Sequence, residues 1–198
     1  MWIGRGDINP PEVVVYFDYV CPYCLLAEDA VKTAAADAGA TVTWRPYELR
    51  PHPNPTLRPE DEYLPRVWRS SVHPMAERLG VPVKLPTVSP QPCTHLPFEG
   101  ALFAEEHGRA EEYHGAVLRA FFQRDLDIGR PEVLRDLAAE VGLDAGEFAD
   151  APAERRYERR HGPGSPRPWR RACGPSRPST SARTASRACR TPTNCAKR

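Results

Sequence analysis

Long apolar runs are missing from this 198-residue chain, and no stretch approaches the roughly 18 apolar residues of a membrane-spanning helix. Residues Met1 to Pro11 carry one Arg but no apolar core of a secretory signal. A cytoplasmic, reducing location is therefore expected, and there six cysteines do not imply three structural disulfides. Paired metal spacing is missing too. His52, His73, His95, His107, His114 and His161 show no His-x-x-x-His pattern, and surface or loop positions are expected for all six. No period of about 20 to 50 residues repeats, which excludes a solenoid or propeller.

The sharpest deficit lies at the end of the chain. Residues 152–198 contain no Val, Ile, Leu, Met or Phe. They carry 13 basic and 2 acidic side chains, a charge of +11, whereas residues 1–151 carry 14 basic and 24 acidic, or −10. The overall charge of +1 is thus the sum of two unlike pieces. A segment without aliphatic side chains buries too little apolar surface to offset chain entropy, so 152–198 is expected to be a disordered basic tail.

What is present begins with Val13–Phe17, an apolar, β-branched run that reads as a strand buried on both faces. Asp18–Val20 turns the chain, and Cys21-Pro22-Tyr23-Cys24 follows. Leu25–Ala38 is rich in Ala and Leu and reads as a helix, which Gly39 ends. Thr41–Trp44 is a second strand, so the order gives parallel strands joined by a helical crossover. Pro46 to Pro59 holds five prolines and is a loop. Glu60–Leu79 reads as helical with interruptions at Pro65 and Pro74, and Pro82–Pro97 as a loop. Phe98–His107, Glu111–Arg124, Pro131–Val141 and Asp144–Ala149 read as short helices. In the second, Tyr113, Val117, Leu118, Phe121 and Phe122 recur at helical steps and mark a buried face. Glu105-Glu106 and Glu111-Glu112 suit a solvated face, Gly4-Arg5-Gly6 a flexible lead-in, and Trp44 and Trp68 packing.

A Cys-x-x-Cys placed after a buried strand and at the mouth of a helix is specific. Cys21 falls at the helix N-terminus, where free N–H groups and the macrodipole favour a thiolate. Cys24 lies one turn further in. The spacing lets the two sulfurs close a disulfide, as two-step thiol–disulfide exchange requires: Cys21 is the nucleophile and Cys24 the resolving thiol. Pro22 suits the first helical turn because its missing N–H would be unsatisfied there. Pro22 and Tyr23 are the residues placed to tune the redox poise. The competing reading is a zinc site completed by Cys93 and His95. The strand-then-helix context favours redox chemistry and no metal. Cys93 alone reads as a small loop or core residue, and His95 as a weak candidate for the substrate groove.

These residues resemble a known family. Val13–Phe17, then Asp18-Tyr19-Val20-Cys21-Pro22-Tyr23-Cys24, then Trp44-Arg45-Pro46-Tyr47-Glu48-Leu49 look like the DsbA-like thioredoxin superfamily. More narrowly they are similar to its FrnE-like and 2-hydroxychromene-2-carboxylate isomerase-like branch. Thr94-His95, Phe98-Glu99, Phe121-Phe122, Asp127-Ile128-Gly129 and Gly142-Leu143-Asp144 fit that branch's helical insertion. The resemblance covers about 12–160. It implies an α/β, thioredoxin-like βαβ unit (1–59) with an inserted helical subdomain (60–151), ahead of a non-native tail (152–198). It also implies dithiol oxidoreductase or disulfide isomerase activity. Thiol- or disulfide-bearing proteins, or small thiols, would be the substrates, and glutathione is a candidate reductant. No other cofactor, no nucleic acid and no membrane partner is expected, and nothing here fixes the oligomeric state. A glutathione-dependent isomerase or transferase on the same fold is the alternative enzyme, and a zinc-stabilised binding protein the non-enzymatic one. In the isomerase branch the first motif position is usually Ser, so Cys21 with Cys24 favours dithiol exchange.

The family's second half should supply a cis-proline strand facing the pair, a hairpin partner and a closing helix. Nothing in 161–198 suits these elements. A basic interaction arm is one reading of the tail and a shifted reading frame is another. Suppose Cys189–Lys197 is encoded TGC CGG ACG CCG ACC AAC TGC GCA AAG, after an Ala188 codon ending in G. Starting one nucleotide earlier then gives Val-Pro-Asp-Ala-Asp-Gln-Leu-Arg-Lys, the start of an amphipathic helix. The same shift permits Val-Pro-Thr-Phe over Pro175–Ser179 and an Ala-rich helix around Trp169–Cys173. The expected cause is a frameshift between Tyr157 and Trp169. On that reading Cys173, Cys189 and Cys195 have no catalytic role, and both stability and activity are reduced.

Overall fold

The computed structural model describes residues 10–153. The expectations for the N-terminal leader and for 154–198, including the missing second half, the disordered tail and the frameshift, lie outside them.

Strand β1 (Glu12–Phe17) and strand β2 (Thr41–Pro46) pair in parallel, with Val13 opposite Val42 and Phe17 opposite Pro46. Helix α1 (Pro22–Asp37) connects them. Gly39 ends the helix with φ +62°, a conformation that only glycine adopts without strain. Among the described residues the sheet has these two strands alone. That overturns the expectation that β1 is buried on both faces. Val13, Val14 and Tyr16 are 40–43% exposed, and only Phe17, at 3%, is fully covered. The run Val13–Phe17 has the composition of a central strand but lies in a sheet too narrow to cover it.

The remaining elements are helical. Helix α2 (Tyr63–Val67) continues through a π-helical turn (Trp68–Val72) into α3 (His73–Leu79). The expected interruptions at Pro65 and Pro74 do not break this rod. Pro65 lies in the first turn of α2, where its missing N–H costs nothing, and Pro74 directly follows the π turn, which interrupts the α-helical pattern without ending the rod. Helix α4 (His95–Glu106) starts three residues before its expected Phe98, because Pro97 also fits a first turn. Helices α5 (Ala110–Phe122), α6 (Pro131–Glu140) and α7 (Ala145–Ala153) follow. On α5 the expected face is fully buried: Tyr113, Val117, Leu118, Phe121 and Phe122 are each 0% exposed.

One core runs through the βαβ unit and the helices. Phe17 stacks edge-on against Phe98 of α4 at 5.5 Å and against His114 of α5 at 4.3 Å. Trp44 of β2 lies parallel to the His114 ring at 4.5 Å. Gly100 makes the α4–α5 approach possible, since a Cβ there would collide with the Tyr113 hydroxyl. Buried Glu28 of α1 accepts from Lys32 at 2.9 Å and from Arg119 of α5 at 3.3 Å, tying the active-site helix to the helical subdomain. Both cations keep a wet side, so the carboxylate is paired without two fully desolvated charges.

His114 corrects the expectation of six surface or loop histidines. It is 2% exposed, and neither ring nitrogen has a hydrogen-bond partner among the described residues. Burial, and then the facing cations Lys32 and Arg119, lower its pKa to about 3. An unfolded His titrates near about 6.5. Below that pH the unfolded chain takes up a proton that the folded one refuses, so stability falls as pH falls from about 6.5 toward 3. The limiting slope is about 1.4 kcal/mol per pH unit. His114→Phe, which keeps the ring between Phe17 and Trp44, should flatten the dependence of the urea midpoint on pH between 6.5 and 4.5. An equal slope in both proteins would place the acid sensitivity elsewhere.

Candidate dithiol site

Cys21 is the N-cap residue of α1, with extended backbone at φ −95° and ψ 110°. Pro22 takes the first helical position, and Tyr23 and Cys24 the next two. This placement follows from β1: the strand ends in buried Phe17, and the tight turn 18–20 delivers Cys21 to the helix mouth. Asp18 closes that turn, its carbonyl accepting from Cys21 N–H at 3.1 Å.

Cys21 and Cys24 are both free thiols, each partly buried. They are not equivalent. The Cys24 thiol donates to the Cys21 sulfur, which is the largest influence on Cys21 and outweighs its desolvation. The N–H groups of Cys24 and Tyr23, in the open first turn of α1, lower it further, and the Cys21 pKa falls to about 7. The same hydrogen bond, then burial and the neighbouring Cys21 charge, raise Cys24 far above an ordinary thiol. One sulfur is a thiolate near neutral pH while the other holds the proton.

A cavity of about 240 Å³ opens beside Cys21. Its walls come from the Asp18–Tyr23 turn, from Leu49, Arg50, Thr56 and Leu57 of the proline-rich loop, from Tyr63 to Trp68 of the helical rod, and from Gln91 to Thr94. Cys21 faces this cavity, whereas Cys24 is outside the lining and packs against the core. The lining is mainly apolar, with Arg50 and Asp18 as its charged members. Pro22 and Tyr23, expected to tune the pair, both border the cavity.

His95, expected to line the groove, does not. It begins α4 on the exposed side, and the cavity wall ends at its neighbour Thr94. Cys93 does line the cavity, so the small-residue reading missed its nearness to the pair. Among the described residues no three His, Cys, Asp or Glu side chains gather to hold a metal ion, so the zinc alternative lacks a ligand set there. No helix among them is long and apolar enough to cross a membrane.

Asp18 was legible only as part of a turn, yet its carboxylate organises the site. It is 2% exposed and accepts from Leu49 N–H at 2.7 Å and Val20 N–H at 3.4 Å, with Thr94 as a further donor. Desolvation raises its pKa, and these hydrogen bonds oppose the rise. The one available signal was a charged residue between buried Phe17 and Tyr19, where solvent exposure is improbable. Asp18→Ala leaves buried N–H groups without their acceptor. It should cost about 1–3 kcal/mol of unfolding free energy, read as a lower urea midpoint at unchanged m-value. A cost near zero would mean that the carboxylate holds nothing in place.

Comparison with known proteins follows the geometry. Residues 12–160 match the family described as DSBA-like thioredoxin domain. The chain is 45% identical over 147 residues to the uncharacterized protein YwbO of Bacillus subtilis (strain 168), covering 74% of each protein. Two solved structures share the fold at low identity. One is a probable DsbA oxidoreductase from Streptomyces coelicolor, with TM-score 0.56, 22% identity, and 72% of this chain and 67% of that one covered. The other is the cytosolic disulfide reductase DsbM from Pseudomonas aeruginosa, with TM-score 0.56, 19% identity, and 75% and 78% covered.

Proposed function

The chain belongs to the DSBA-like thioredoxin domain family, and from that premise we propose that it is a thiol–disulfide oxidoreductase working through Cys21 and Cys24. The observation that carries the proposal is the asymmetry of the pair. Cys21 has its pKa lowered to about 7 and opens on a cavity, while Cys24 is shifted the other way and turned toward the core.

In the reducing direction, the Cys21 thiolate attacks one sulfur of a substrate disulfide. A Cys21–substrate disulfide forms, the substrate's S–S bond breaks, and the leaving thiolate takes a proton from water. Cys24 then gives up its proton and attacks the Cys21 sulfur. The second substrate thiolate departs and the Cys21–Cys24 disulfide remains. The substrate has gained two electrons and the pair has lost two. A small thiol such as glutathione would then re-reduce the oxidised pair; the reverse sequence donates the disulfide and leaves the pair reduced. Loss of the Cys24–Cys21 hydrogen bond in the mixed disulfide removes the main influence holding the Cys24 proton, so the resolving thiol is released at the step that needs it.

The mainly apolar cavity suits an uncharged segment of a disulfide-bearing protein or a small thiol. A cytoplasmic setting belongs to the same proposal, since a reduced pair poised for attack fits a reducing compartment. A glutathione-dependent isomerase on this fold is disfavoured by the resolving thiol at Cys24.

The test is exchange with a disulfide substrate such as insulin, in the presence of dithiothreitol. Cys21→Ser should lower turnover about 100-fold or more, because serine offers no thiolate to attack the disulfide. Cys24→Ser should retain the first attack and accumulate a Cys21-linked mixed disulfide, seen as an added mass that reductant removes. Turnover unchanged in Cys21→Ser would refute the assignment.

A further inference from the structure

The π-helical turn at Trp68–Val72 is the one irregular turn in the rod formed by α2 and α3, and it lies against the site. An extra residue in a helical turn costs hydrogen-bond geometry, and such turns are frequent at functional sites. This turn aims two side chains. Trp68, 2% exposed, is delivered to the cavity wall. Ser71 is delivered to Tyr23, whose hydroxyl donates to Ser71 Oγ at 2.7 Å across 48 residues of sequence.

Tyr23 is not a passive neighbour. It is the second helical residue of α1, in the open first turn that Cys21 caps, and its backbone is among the groups that lower the Cys21 thiol pKa. Its ring lies at the rim of the cavity, 37% exposed, so packing alone does not fix it. The described hydrogen bond to Ser71 ties the ring to a different part of the chain. With the ring held, the first turn of α1 cannot rotate without breaking that bond.

We propose that Ser71 is a positioning residue of the dithiol site: by holding the Tyr23 hydroxyl it fixes the Pro22–Tyr23 dipeptide, so that the first turn of α1 stays set against the Cys21 sulfur at the helix mouth. The proposal rests on the thiol–disulfide reading of the pair and adds a residue outside the Cys-x-x-Cys motif. The sign follows from the geometry. Releasing Tyr23 loosens the helix N-terminus that favours the thiolate, which destabilises the reduced, ionised form relative to the disulfide. Ser71→Ala should therefore raise the pH at which Cys21 ionises and make the pair easier to oxidise.

Two measurements on the full chain test this. The first is the thiolate absorbance near 240 nm as a function of pH, and the second is the equilibrium constant of the pair with reduced and oxidised glutathione. Ser71→Ala should move the thiolate midpoint upward by about 0.3 to 1 pH unit and the glutathione equilibrium about two- to tenfold toward the disulfide, the range of one neutral hydrogen bond. Tyr23→Phe should give the same two shifts, and the double variant no more than either single one. Ser71→Thr, which keeps a hydroxyl, should restore wild-type values. A merely structural role would lower Tm without moving the midpoint. An unmoved midpoint in Ser71→Ala, or shifts of the two single variants that add, overturns the proposal. Failure of the wild-type pair to form a disulfide with glutathione would instead overturn the exchange reading, and the absorbance titration would still decide the role of Ser71.

Discussion

The hydrogen bond from the Cys24 thiol to the Cys21 sulfur, made at the open N-terminus of α1, is the interaction around which the rest of the site is arranged. It requires Cys21 to stand just outside the helix and Cys24 just inside it. Strand β1 meets that requirement by ending in buried Phe17, and Asp18 by closing the turn that follows. The carboxylate of Asp18 then binds the loop at Leu49 and receives Thr94 at the start of α4. Three segments distant in sequence thus converge on one turn. Burial alone would push the Cys21 thiol up. The donors gathered at the helix mouth reverse that tendency, and the nucleophile is a matter of local geometry more than of residue type.

The second constraint is the narrowness of the sheet. A parallel strand of the type Val13–Phe17 is stable when both faces are covered, and here β2 covers one edge while the helices cover one end. Most of the described core lies among α4, α5 and α6; the βαβ side contributes Phe17, Tyr19, Leu25 and Leu26, with Trp44 packed against them. The rings of Phe17, Phe98, Trp44 and His114 join the two parts. The unpartnered nitrogens of His114 are the cost of that junction, and they make the packing that supports the active-site helix sensitive to acid.

Much of this was legible in the sequence. The order strand, Cys-x-x-Cys, helix, strand is written in β-branched runs, an Ala-rich stretch and Gly39, all local signals. The face of α5 was legible because Tyr113, Val117 and Phe121 repeat at the helical period. What was not legible depends on contacts across the chain. Ser71 meets Tyr23 over 48 residues and Asp18 meets Leu49 over 31, and no local pattern marks either pair. Proline misled where context was non-local: Pro65 and Pro97 lie in the first turns of α2 and α4, and at Pro74 a π turn carries the rod through. The exposure of β1 was misjudged because composition reports what a strand suits, not how many neighbours it has.

The central claim is the division of labour between the two sulfurs, and peptide-resolved alkylation tests it most directly. The reduced chain would be pulsed with iodoacetamide across pH 5 to 10, and the modified position read by mass spectrometry. The account predicts half-maximal labelling of Cys21 near pH 7, with Cys24 protected over the whole range while Cys21 is unmodified. Labelling of Cys24 ahead of Cys21, or a Cys21 midpoint at the ordinary thiol value of about 8.5, would contradict it.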